Sequence, residues 1–186
     1  MKTYTQYPFT QILTRSILAL LFISTAVQCK KDSPEEINEE ETINRVTLTV
    51  TGADGSSTDY TWNEGDNEPT INLGANSTHQ VSIAFYDASD ASDVENITEE
   101  VIEEADEHFV FYQVNSASLT IAAASNDVID SDGVAINVKT QWSTTDASSG
   151  VVQVYLVHEP TSKTGATRSA LGGSTDVELD FPVQIQ

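Results

Sequence analysis

The chain has 186 residues, with 8 Lys+Arg against 29 Asp+Glu, three His and one Cys, for a formal charge of −21. So acidic a chain repels a polyphosphate backbone, which argues against nucleic acid as a partner. A lone Cys excludes an intramolecular disulfide framework and a Cys-rich zinc site, and the length accommodates one domain with a tail.

The first 28 residues contain no acid. Lys2 and Arg15 form a basic leader, and residues 17–27 are an apolar run of 11. A bilayer core needs about 20 apolar residues, so this run is too short to span it and fits the hydrophobic region of a secretory signal. Cys29, the only cysteine, follows at once. This arrangement resembles a bacterial lipobox, in which the thiol is diacylated and the chain is cut just before it. The resemblance implies a lipoprotein signal peptide over residues 1–28 and a membrane anchor through lipid on Cys29; the alternative is a plain secretory signal with an incidental Cys. Gln28 departs from the small residue usual before the lipidated Cys.

Lys30 and Lys31 come next, followed by Asp32, Glu35 and Glu36. The run looks like the export signal of Bacteroidetes surface lipoproteins, which implies the outer membrane and exposure on the cell surface. Residues 29–43 carry six acids and no hydrophobic period, so they read as a disordered, solvated tether. Loss of the signal removes Lys2 and Arg15 but no acid, leaving 158 residues at −23. Two or three acyl chains would anchor this chain firmly, where one is marginal.

From Asn44 to the end, residues 44–186, a period of two dominates and predicts strands. Val46, Leu48 and Val50 alternate with Thr47 and Thr49; Tyr60 and Trp62 share a face; Val81, Ile83 and Phe85 alternate with Ser82 and Ala84. Leu119 and Ile121 make another face. Val134, Ile136, Val138 and Trp142 are read as one strand, and Val152, Val154 and Leu156 as a strand with Gln153 and Tyr155 facing outward. The clearest run is Val177, Leu179, Phe181, Val183 and Ile185. Pro182 lies within it and cannot donate to a ladder, which predicts a sheet edge or a bulge. Asp54-Gly55, Gly65, Asp132-Gly133, Gly150 and Gly172-Gly173 supply the reversals. Together these predict an all-β fold, an antiparallel β-sandwich of about eight or nine strands, immunoglobulin-like or similar, in one domain.

One segment breaks the alternation. Ile97, Val101 and Ala105 form an i, i+4, i+8 stripe, with Asn96 and Glu99 placed as a capping box, so a short helix is predicted around residues 97–105, lying across a sandwich opening.

Residues 87–107 hold ten acids and no base. Hard cations such as Ca²⁺ take carboxylate oxygens, but a solvated helix face explains the same residues. Asp127, Asp130 and Asp132 could wrap Ca²⁺, although the spacing misses the EF-hand pattern and a plain hairpin loop is the preferred reading. His79, His108 and His158 lie near strand ends; Asp106 stands close before His108, and Glu159 follows His158. Two histidines with a carboxylate are a Zn²⁺ ligand set if the fold brings them together, but the preferred reading is that each is a polar surface residue at a strand end. No nucleophile elbow, phosphate-binding glycine loop or isolated carboxylate pair is present.

The whole pattern resembles a family of small Bacteroidetes lipoproteins of unknown function. The resemblance is carried by Cys29-Lys30-Lys31-Asp32, residues 39–49, Thr61-Trp62-Asn63, residues 97–101 and 104–112, Val157-His158-Glu159-Pro160 and Phe181-Pro182-Val183. Such proteins carry the label "type 1 periplasmic binding fold", which implies two α/β lobes with many helices. The alternating strands and single helical stripe predict a sandwich instead. The resemblance carries no catalytic residue. The functional expectation is a monomeric, non-enzymatic binding or interaction module with no cofactor, its partner an extracellular ligand or a transporter. Its alternatives are an accessory cation- or nutrient-binding lipoprotein of a transport system, and a hydrolase.

Overall fold

The computed structural model describes residues 41–186. The signal segment, Cys29 and the tether up to residue 40 lie outside the described residues. In chain order the elements are β1 (Arg45–Thr51), β2 (Ser57–Asn63), β3 (Ile71–Leu73), β4 (Thr78–Tyr86), α1 (Thr98–Glu103), β5 (His108–Asn115), β6 (Leu119–Ala123), β7 (Lys139–Thr144), β8 (Ser148–His158), α2 (Arg168–Leu171) and β9 (Ser174–Ile185).

The strands form two sheets, ordered β2-β1-β4-β7-β6 and β3-β9-β8-β5. Every pairing is antiparallel except β3 with β9. Alternation in the sequence explains why they stack. Val46, Leu48 and Val50 of β1, with Val81, Ile83 and Phe85 of β4, project from one sheet; Val110, Val152, Val154, Leu156, Leu179 and Phe181 project from the other. They meet in one apolar cluster that includes the fully buried Trp142. Burial of each such side chain stabilises the fold by roughly 1.5–3 kcal/mol. The protein is an all-β sandwich, as its periodicity predicts.

The helix forms where it was expected, and Ile97 and Val101 are buried against the core. Its start differs in detail. Asn96 Nδ2 donates to the Glu99 carboxylate at 3.1 Å, and no side chain caps the helix backbone. What ties the helix to the sheet is Thr98. β7 pairs with β4 only over Thr78–Ser82, so the backbone of Phe85 reaches beyond it. Phe85 N–H donates to Thr98 Oγ1 at 2.8 Å, and the same hydroxyl donates to Phe85 C=O at 3.2 Å. One side chain thus stands in for a missing strand, satisfying two buried backbone groups that would otherwise be orphaned.

Four details depart from the sequence reading. The run from Val134 to Trp142 is not one strand: Asn137 has φ +65°, which breaks extended backbone, and β7 begins only at Lys139. Pro182 lies in β9, which is an interior strand; the bulge falls at Asp176, skipped between the pairs Leu156↔Val177 and Val157↔Thr175. Gln186 bonds Leu73 and Ala75 through its backbone, so the even-numbered residues of β9 face β3. β3 pairs only from Val183 onward, which leaves no acceptor opposite Pro182 and no cost for its missing N–H. Tyr155 faces outward as read but is buried there, because it packs with Phe109, Val157 and Leu171 of the unforeseen α2 in a second apolar cluster on the outer face of β5 and β8. Finally, Ile43 packs against the main core, so the folded chain reaches back into the stretch assigned to the tether.

Thr98→Val should keep the packing and remove the hydroxyl. We expect a loss of about 1–3 kcal/mol in urea unfolding, with Thr98→Ser retaining most of the stability.

Candidate metal centre

β5 and β8 pair in register from His108↔His158 at one end to Asn115↔Val151 at the other. The two histidines are therefore direct cross-strand neighbours, and their rings stack at 4.9 Å between centroids with planes 11° apart. His108 has the same parity along β5 as Val110, which lies in the inter-sheet core. It thus points into the mouth of the sandwich and is fully buried.

Four glutamates surround this pair. Glu41, just before β1, places Oε1 3.6 Å from His108 Nε2, and its side chain is only 12% exposed. Glu104, directly after α1, places Oε2 4.0 Å from His108 Nδ1. Glu107 places Oε2 3.8 Å from His158 Nε2. One ligand atom each from Glu41, Glu104 and His108 lie within 4.8 Å of one another, and so do those of Glu107, His158 and Glu159. Glu159 is held beside the pair by its N–H bond to Glu107 C=O at 2.7 Å and by a left-handed backbone at φ +47°.

His108 has one satisfied nitrogen and one that is not. Nδ1 lies 3.3 Å from Glu104 C=O, a contact in which it can only donate. That fixes the tautomer and leaves the Nε2 lone pair free. Nε2 is buried and has no hydrogen-bond partner. Burial, above all, holds His108 below the usual imidazole value, with the neighbouring His158 adding to this, so the neutral ring is favoured. Burial also pushes Glu41 up to about 7, reinforced by Glu100, Asp176 and Glu104 and opposed by His158.

The sequence singled out Asp106, His108, His158 and Glu159 as one possible set. The structure brings three of these to the same corner and gives Asp106 other work: its carboxylate accepts the Ser131 N–H at 2.7 Å. The proposed Ca²⁺ acids do not converge into a ligand cluster among the described residues. Asp127 accepts the N–H groups of Asn137 and Lys139 at 2.6 and 2.7 Å, bracketing the left-handed turn before β7. Asp130 accepts from Asp132 and Val134 N–H and pairs with Lys163 at 2.8 Å. Asp132 enters only through its own N–H. The glutamates of α1 at 99, 100 and 103, and Glu104 just after it, are exposed, as a solvated face requires. Sequence reasoning did not name Glu41, Glu104 or Glu107 as ligands, although the last two lie in the acidic run 87–107. Glu104 stands four residues before His108, a helical spacing that was legible; Glu41 carried no signal, being one acid among six in a polar stretch.

His79 stands apart on β4. Its Nε2 lies 2.8 Å from Ser77 Oγ, but that hydroxyl also donates to Gly74 C=O at 2.6 Å. With its proton so committed, Ser77 accepts from His79, the reverse of a nucleophile activated by a base.

No family model matches the chain, and the searches of curated proteins and of solved structures likewise give no match.

The raised value of Glu41 has a definite consequence for the metal-free protein. A carboxyl whose folded value lies above its ordinary 4.5 loses stability as pH rises from about 4.5 through about 7. Glu41→Gln should therefore melt higher than wild type at pH 8 in chelator. The difference should vanish near pH 4, where both side chains are neutral; differential scanning calorimetry at the two pH values checks this.

Proposed function

We propose that this chain is a lipid-anchored, non-enzymatic binding module displayed on the outer membrane, and that its ligand is a divalent cation taken up where β5 and β8 end. The observation that carries the reading is the gathering of His108, His158 and four glutamates in one corner, with a fully buried imidazole nitrogen lacking a hydrogen-bond partner. Such a constellation supplies ligand atoms and no nucleophile. The single Ser–His contact among the described hydrogen bonds has the wrong proton direction for acyl transfer. Cation capture suits a chain at −21, whose field concentrates positive ions and repels anionic partners. The anchor rests on Cys29 behind its apolar run, and the surface position on the Lys-Lys-acid sequence that follows. A sandwich held out from the membrane and loaded with a cation fits an accessory role beside a transporter.

Isothermal titration of the mature chain separates this reading from a plain protein-interaction module. Heat with Zn²⁺ or Ca²⁺ and a rise in melting temperature are expected; no response to either ion would remove the cation. Independently, Cys29→Ala should move the protein from the membrane fraction to the soluble fraction, and a membrane-impermeant reagent should label the wild type on intact cells.

A further inference from the structure

The corner holds two ligand sets, and they are not equivalent. Glu107, His158 and Glu159 lie at the rim, where both glutamates are exposed. His108, fully buried, and Glu41, its side chain 12% exposed, lie inside it, and Glu104 reaches them from the surface, its side chain 43% exposed. Neither three-residue group contains both histidines. Parallel stacking at 4.9 Å fits this, since one ion shared by two imidazoles would hold their nitrogens only about 3.3 Å apart at bond lengths of 2.0–2.1 Å.

We propose that Glu41, Glu104 and His108 form a site for a borderline transition-metal ion of the Zn²⁺ class, and that the bound ion fastens the chain leading into β1 onto the mouth of the sandwich. This deepens the cation-binding reading and rests on it.

Three features of the inner set carry the inference. The first is the orphaned nitrogen. His108 Nδ1 is engaged by Glu104 C=O, which is the outer-shell hydrogen bond that orients a metal-binding imidazole and leaves Nε2 as the ligand atom. The second is distance. Nε2 and Glu41 Oε1 are 3.6 Å apart, too far for a hydrogen bond. Two ligands on one tetrahedral Zn²⁺ stand about 3.4 Å apart at bond lengths of 2.0–2.2 Å, so a small shift of Glu41 seats an ion between them, and the Glu104 carboxylate, whose Oε2 lies 4.0 Å from Nδ1, turns toward Nε2 to complete the set. The third is donor chemistry. Ca²⁺ takes six to eight oxygens and gains little from an imidazole, whereas one nitrogen and two carboxylates suit Zn²⁺ and leave a fourth position for water or an exogenous ligand.

The fastening follows from where the ligands sit in the chain. Glu41 precedes β1 of the five-stranded sheet, Glu104 follows α1, and His108 opens β5 of the other sheet. An ion bound by all three joins both sheets and the helix at one point. It also fixes the residue from which the chain continues toward Cys29.

The test uses the mature chain with Zn²⁺ as the probe, reading affinity by competition with a chelating dye and cleavage after Glu41 by a glutamate-specific protease. Expected are Zn²⁺ binding with no comparable response to Ca²⁺, and slower cleavage after Glu41 with Zn²⁺ than without. Glu41→Gln and Glu104→Gln should each weaken Zn²⁺ at least about tenfold, while the rim variant Glu107→Gln/Glu159→Gln stays within about twofold. These isosteric changes avoid the risk that a His108 variant fails to fold. Zn²⁺ binding that survives Glu41→Gln but is lost in the rim variant would overturn the inner site while leaving cation binding intact. Unchanged affinity in all three variants would overturn it too, as would unchanged cleavage after Glu41 in the Zn²⁺-loaded protein. No binding of either ion by wild type would overturn both readings.

Discussion

The register of β5 against β8 is the constraint on which the site depends. Side chains alternate along a strand, so a slip of one residue would send Val110 and Tyr112 outward and bring Phe109 and Phe111 between the sheets. Both faces of this pair are covered at the His end, by the inter-sheet core on one side and by the α2 cluster on the other. With neither face free to slip, the register is held from both sides, and it sets His108 opposite His158. The stacked histidines are therefore a by-product of the apolar packing of their neighbours Phe109, Val110, Leu156 and Val157. That is how a core can place two polar rings more firmly than any hydrogen bond between them.

The price of this placement falls at the open end of the sandwich. A sandwich must close its mouth with something, and here the closing elements are polar and acidic. Thr98 fills the gap left where β7 stops, and Lys163 ties the segment after β8 to Ala105 C=O at 2.6 Å and to Asp130. Gly173 lets that segment return: a side chain there would collide with the backbone of His158 and Glu159, and its φ of +65° is one that few other residues adopt. The result sets Glu41, half-buried beside His108, under the combined influence of burial and of the acids Glu100, Asp176 and Glu104, with His158 alone among the dominant influences favouring its ionised form. Hydrophobic burial supplies the stability that tolerates this corner; the corner itself contributes little.

Much of this architecture was legible in the sequence because period-two alternation is a direct imprint of a buried face. The β1, β4 and β9 faces could be named residue by residue, and so could the Ile97–Val101–Ala105 stripe. Failures came where a second influence overrode the pattern. Tyr155 faces outward as read, but its burial under α2 was not foreseen, because a four-residue helix leaves too short a period to read. Asn137 kept the alternation of its neighbours while its backbone left the extended region. The histidine pair was nameable only as two candidates, since pairing register is a tertiary property. Glu41 was hidden by composition, because one glutamate in an acidic run looks like every other.

The frustrated corner and the fold around it make sense together as a linked equilibrium. An ion that binds only the folded chain stabilises it by RT ln(1 + [L]/Kd), which is about 2.7 kcal/mol at a hundredfold excess over Kd. The same ion offsets the burial, and the like-charge repulsion behind it, that raise Glu41, and supplies the bonding partner that His108 Nε2 lacks. Along the described strands the local rules mostly agree with the global fold: alternation matches burial, turns carry glycine, and the Asp127 carboxylate is engaged by two backbone N–H groups, while His79 Nδ1 is a second buried ring nitrogen with no hydrogen-bond partner. A sequence that satisfies these rules along both sheets, yet gathers carboxylates about an unsatisfied imidazole at one end, departs from them where binding would repay the cost. Had solubility been the sole use of the acids, any exposed strand face would have held them without burying Glu41 beside His108.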